Sequence, residues 1–133
     1  MLFIRNDSAI KKLVIEKVLS SSSKAGGVVV WKRNVTVGSI GNHNTHVPVN
    51  LNFGSSNSAD VTVYNWDETG DGMTGFSGGT VVKTFITGVG FTIHPIDGAI
   101  LMGKDDNFLI EYIAPEANTE FECGVRIYFR EED

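Results

Sequence analysis

The sequence predicts an all-β protein, a single antiparallel β-sandwich of seven to eight strands, and three observations carry that prediction. Val, Ile and Thr number 36 against 15 Ala, Leu and Met, a bias toward extended chain over helix. Apolar residues return with period two, in short segments parted by clusters of Gly, Asn, Asp and Ser. No helix long enough for a βαβ crossover interrupts them, which leaves a sandwich or a closed barrel. Long connections such as Gly70 to Gly79, with five glycines in ten residues, resemble the end loops of a sandwich, and a jelly roll fits the strand count. The 133 residues, 41% of them hydrophobic, suffice for one core and one domain, residues 1–133.

Taken in order, Leu2 to Arg5 reads as a short first strand. Leu13-Val14-Ile15 forms a second between Asn6-Asp7-Ser8 and Ser20-Ser21-Ser22-Ser23. Ile10, Leu13, Val14, Lys17 and Val18 would also suit one face of an amphipathic helix, so this stretch keeps two readings. Val28 to Val37 is a strand apolar on two sides, with Val29, Trp31, Val35 and Val37 opposing Val28, Val30 and Thr36. Asp60 to Trp66 supplies another. Thr80 to Val89 follows, with Val81, Phe85 and Val89 on one side and Val82 and Ile86 on the other, so that both faces should meet something. Ala99 to Met102 is a short strand between the turn-like Asp97-Gly98 and Gly103 to Asp106. Asn107 to Ile113 ends at Ala114-Pro115, where proline removes a donor. In the last strand Phe121, Cys123, Val125, Ile127 and Phe129 face the core while Glu120, Glu122, Arg126 and Arg130 face water; these two strands are expected to pair as a hairpin.

Charge narrows the class of function. Eleven basic against 16 acidic side chains give a net charge of −5, which opposes binding to nucleic acid or to anionic membranes. No apolar run approaches the roughly 20 residues of a membrane span, and Met1 to Asp7 lacks the cationic-then-apolar order of a signal peptide, so synthesis in a cytosol is expected. The single Cys123 can form no internal disulfide, leaving core burial and oligomerisation to supply stability.

No cluster compels a chemistry. Asp67, Thr69, Asp71 and Gly72 match the opening of a calcium loop, but Gly78 stands where the bidentate glutamate belongs, and acidic Gly-rich turns are common for conformational reasons. His43 and His46 lie three apart with His94 the only third imidazole; zinc needs three or four converging ligands, so these read as loop histidines unless an oligomer axis supplies the rest. Cys123, on an apolar face, reads as a small hydrophobe, and Ser20 to Ser23 lack any nucleophile-elbow context. Asp105, Asp106, Glu111 and Glu116 could be paired by the fold into a glycosidase dyad, as in any acidic protein of this size. Trp31, Tyr64, Trp66 and Tyr112 could form a sugar-stacking platform, with Trp31 expected in the core and Trp66 at the surface. The site assignment is accordingly empty: no catalytic, cofactor-binding or metal-ligating residue, no cofactor, and no enzymatic activity.

The stretch Pro48-Val49-Asn50-Leu51-Asn52, the Ser-rich Ser55-Ser56-Asn57-Ser58 after it, and the Asp60 to Trp66 strand resemble small β-sandwich virion proteins of tailed bacteriophages. Ile113-Ala114-Pro115 and the charged Glu120 to Arg130 strand occupy the places of that group's hairpin break and last strand. The resemblance implies a jelly-roll fold and a structural role as a homotrimeric head decoration, or cement, protein binding a major capsid protein or another virion component, made in the host cytoplasm and located in the virion. The alternative is a carbohydrate- or receptor-binding module of a tail fibre, using Trp66 and the Asp67 to Asp71 turn.

Overall fold

The computed structural model describes residues 1–41, 43–48, 59–65 and 75–131, and they are all-β, with no helix among them. The described residues form eleven strands: β1 Leu2–Asn6, β2 Lys11–Ser22, β3 Val28–Arg33, β4 Thr36–Val37, β5 Asn44–Thr45, β6 Val61–Asn65, β7 Phe76–Ser77, β8 Thr80–Ile86, β9 Gly90–Met102, β10 Asn107–Ile113 and β11 Phe121–Glu131. They make a six-stranded sheet in the order β5-β6-β1-β10-β3-β8, a three-stranded sheet β11-β2-β9, and the pair β4-β7. All pairings are antiparallel.

The two larger sheets enclose one core. Leu2, Ile4, Trp31, Phe108 and Ile110 point into it from the six-stranded sheet, and Leu13, Ile15, Val18 and Met102 from the three-stranded sheet. Phe121, Cys123, Val125, Ile127 and Phe129 pack against it, as alternation along the last strand requires. Phe3, Leu109 and Val35 form a second cluster with Phe76, Tyr64 and Ile40 on the opposite face of β1 and β10. Those two central strands are therefore covered on both sides.

β2 is a strand, and its register explains why it resembles a helix. Ile15 pairs with Ile127 and Lys17 with Arg126, so Glu16 is an extra residue. The bulge moves the inward set from Leu13 and Ile15 to Val18, Ser20 and Ser22, and the step from 15 to 18 imitates a helical i, i+3 spacing. On the other side Ile15 pairs with Ile100 and Lys17 with Pro95. Asp97-Gly98 is thus an irregularity inside one long strand, not a turn ahead of a separate one.

Two further expectations are corrected. β10 and β11 are not a hairpin: β10 lies between β1 and β3, and β11 pairs with β2 in the other sheet. The chain between them must cross the sandwich, which Pro115 permits by stopping β10. The segment Val28 to Val37 is also two strands, because Asn34 takes a left-handed φ of 52° and turns the chain out at Arg33. The buried Asn107 secures the break: Val35 N–H donates to its Oδ1 at 2.9 Å and its Nδ2 donates to Val35 C=O at 3.0 Å. Asn6, fully buried, plays the same part at the other corner, with Nδ2 donating to the carbonyls of Lys11 and Met102, both at 2.9 Å. At Gly27 an added Cβ would lie 2.3 Å from the Tyr112 hydroxyl, so only glycine lets the β2–β3 connection pass.

Candidate docking surface

The margins of the sheets carry different side chains. β11 presents the exposed Glu122, Arg126 and Arg130, and Arg126 Nε bonds Glu16 at 3.0 Å. β8 and β9, which end the two sheets on the other side, carry Lys83, Asp97 and His94 as their only ionisable residues. Val81, Val82, Ile86, Phe91, Ile93 and Leu101 are exposed there instead, with Val89 in the turn between. Edge strands are ordinarily blunted by charge, proline or bulges because their free backbone groups and apolar side chains template association; β8 and β9 have Lys83, Pro95 and the irregularity at Asp97-Gly98, but little charge besides.

Register fixes where these side chains point. Val29 opposite Phe85 faces inward, so Ile86, opposite Val28, stands on the outer face of the six-stranded sheet. Ile113, Val28 and Ile86 form one apolar row across β10, β3 and β8, in which Ile113 is 59% and Ile86 73% exposed. In the three-stranded sheet Val18 opposite His94 faces inward, so Ile93 and Phe91, opposite Leu19 and Ser21, stand outward; they are 53% and 66% exposed.

Beneath this side lies an aromatic cluster. Trp31, 2% exposed, meets Phe85, His94 and Phe108 edge-on at centroid distances of 5.8, 5.7 and 5.9 Å. Lys83 Nζ sits 5.0 Å from the Trp31 ring centroid, a cation–π contact that lays the lysine stem along the ring. Ser20 Oγ and His94 Nε2 share a hydrogen bond of 3.2 Å. Burial, and then the Lys83 charge, hold His94 below its ordinary 6.5, so the imidazole is neutral at pH 7. The adjoining cleft, lined by Ser20, Phe85, Thr87, Thr92 and His94, has about 50 Å³, room for water rather than for a substrate. At the other end of the same side a shallow depression of about 450 Å³ runs between Arg33, Val82, Ile100, Leu101 and Met102.

The residues singled out in the sequence are dispersed. His43 packs on Tyr64 of β6 at 4.4 Å, whereas His94 packs on Trp31 of β3. With β1 and β10 between β6 and β3, these sites are about 14 Å apart along the sheet. No group of three His, Cys, Asp or Glu that could hold a metal occurs among the described residues. Cys123 packs on the core, and burial pushes its thiol up, the condition of an unreactive cysteine. Ser22 Oγ donates to Lys24 C=O at 2.7 Å and Ser23 Oγ accepts from Glu120 N–H at 2.9 Å. Glu111 is engaged by Lys32 at 2.9 Å and Glu116 by Lys24 at 2.5 Å. Asp106 accepts from Gly103 N–H at 2.8 Å, and Asp105 occupies the same turn. Trp31 is in the core, Tyr64 stacks on Phe3 at 5.9 Å and Tyr112 on Phe121 at 4.0 Å, so these three aromatics form no common platform. Trp66, Asp67 to Asp71 and Asn50 to Ser58 lie outside the described residues. No helix of the described residues is long and apolar enough to cross a membrane.

Sequence reasoning noted two-sided apolarity in Thr80 to Val89 but missed the asymmetry of charge between the two sides of the molecule. The signal is there: residues 80–96 contain one charged side chain, Lys83, whereas residues 120–131 contain five. No protein-family model matches the chain, and no curated protein or solved structure is significantly similar to it.

Proposed function

We propose that this protein is a non-enzymatic structural component of a bacteriophage virion, a capsid decoration or cement protein of jelly-roll type that works as a homotrimer and binds the capsid surface. The observation that carries the reading is the charge-poor, apolar β8–β9 side. It is a surface suited to adhesion, while the cleft beside its Ser20–His94 pair has the volume of a water site. The net charge of −5 also favours protein partners over nucleic acid or anionic lipid.

The test is co-sedimentation with purified capsids of a tailed phage stripped of decoration. The expected result is saturable binding, with capsids that survive heating or chelation better when coated. Absence of binding, accompanied by quenching of tryptophan fluorescence on adding oligosaccharides, overturns the reading in favour of a sugar-binding module.

A further inference from the structure

We infer that the unpaired edge of β11 takes up an extended, carboxylate-bearing segment of a partner protein as a fourth strand of the three-stranded sheet. The inference rests on the protein-binding reading above and deepens it, naming the kind of segment through which a capsid or other protein partner is held.

The backbone offers the place. β11 runs from Phe121 to Glu131 without a proline, and among the described residues only β2 pairs with it. Its other row of N–H and C=O groups is open to a further strand, a mode of recognition in which main-chain bonds give affinity and alternate side chains give specificity. The two sheets are also unequal in width. Three strands span about 10 Å between the outermost axes and six about 24 Å, so the larger sheet runs on past β11 with β6 and β5. Burial shows the consequence: Phe121, Cys123, Val125, Ile127 and Phe129 pack on the core, yet each is only partly buried, as is Val61 of β6. A fourth strand would cover these side chains with its own inward residues.

Charge names the occupant. On the exposed face Arg126 stands opposite Lys17 and Arg130 opposite Lys12, like-charge cross-strand pairs that cost stability in a chain where carboxylates outnumber cations. Glu16 takes Arg126 Nε at 3.0 Å, but no carboxylate pairs with Lys17 or Arg130 among the described residues. A strand beside β11 would set its outward Cβ atoms about 5 Å from those of β11. Carboxylates four residues apart in that strand match Arg126 and Arg130, and apolar residues at the alternate positions continue the inward row of Val125, Ile127 and Phe129. A second copy of the chain fits badly, because two β11 strands paired about Arg126 or Tyr128 set arginine against arginine. Neither nucleic acid nor lipid can extend a sheet.

The probe is a fluorescently labelled peptide of sequence Val-Glu-Val-Thr-Val-Glu-Val. Anisotropy at low salt should show saturable binding, and hydrogen exchange should show β11 amides slowed at least tenfold with those of β8 unchanged. Replacing the Thr-Val pair of the peptide by Pro-Pro removes a ladder donor whichever way the segment faces and should abolish binding. Arg130→Glu should weaken binding at least tenfold while keeping the wild-type circular dichroism. Lys104→Glu, an equal change of charge at an exposed turn position, should weaken it less than twofold. A peptide that leaves β11 exchange unchanged, a Pro-Pro peptide that binds as well, or equal losses in the two variants overturns the inference. So does protection of β11 on concentrating the protein alone, which makes a second copy the occupant. Capsid co-sedimentation separates the two claims: peptide binding without capsid binding refutes the virion role alone, and capsid binding by a chain that ignores the peptide refutes the β11 site alone.

Discussion

β9 and β11 flank the same central strand, β2, and are of similar length, yet they face the outside in opposite ways. β11 puts Glu122, Arg126 and Arg130 into water and covers the core with Phe121 to Phe129. β9 places His94 inside and leaves Phe91, Ile93 and Leu101 outside. Both are sheet edges with one row of backbone groups unpaired by any strand of the described residues, so backbone chemistry does not distinguish them. Side-chain charge does. One margin is charged and the other apolar, and the same division appears in β8, whose single charge, Lys83, is turned inward over Trp31.

The contrast can be broken most severely from below. Trp31→Ala removes the ring that β8 and β9 both rest on and should destabilise the fold by about 4 kcal/mol, measured by urea unfolding. Phe121→Ala, under the β11 side and only partly buried, should cost about 2 kcal/mol; equal costs would refute a difference in how firmly the two margins are founded. Asn6→Ala leaves the Lys11 and Met102 carbonyls and the Ser8 amide without their partner and should cost about 3 kcal/mol in the same assay.

Acid should sharpen the contrast. His94 is held below its ordinary 6.5 in the folded chain. Above that value both states carry a neutral imidazole. As pH falls from 6.5 through the lower folded value, the unfolded chain takes up a proton that the folded chain refuses, so stability declines. Melting temperature followed from pH 7 to pH 5 should fall in wild type and fall less in His94→Gln, the remaining slope belonging to other groups. The smallest effect belongs to β11: Arg126→Ala removes a solvent-exposed ion pair with Glu16 and should change stability by no more than about 0.5 kcal/mol.

The strands whose apolar and polar residues alternate cleanly were legible without coordinates. β11 is the plainest, since one face meets the core and the other meets water for its whole length. Trp31 was placed correctly because Val29 beside it in the alternation demands the same face. What could not be read is what depends on partners far away in the chain. Glu16 is a bulge only because β11 and β9 both skip it, and nothing local separates that from a helical turn. Asn107 closes on Val35 across 72 residues, and Ser20 reaches His94 across 74; no spacing rule links residues so remote. Pairing order failed for the same reason: β10 and β11 are adjacent in sequence, and adjacency favours a hairpin, but both backbone edges of β10 are taken by β1 and β3. The two-sided apolarity of Thr80 to Val89 is legible in the sequence, but its exposure is not, because each residue sits in an ordinary strand pattern and the exposed side depends on where β8 and β9 end their sheets.

β1 and β10 are held between two apolar layers, with Ile4 and Ile110 beneath them and Phe3 and Leu109 above. Opening either face alone leaves them still clamped by the other, so their amides should be the last in the molecule to trade hydrogen for deuterium, after those of β8 and β9. The protein should come apart from its rim toward its spine, so the rim can rearrange while the spine keeps its shape.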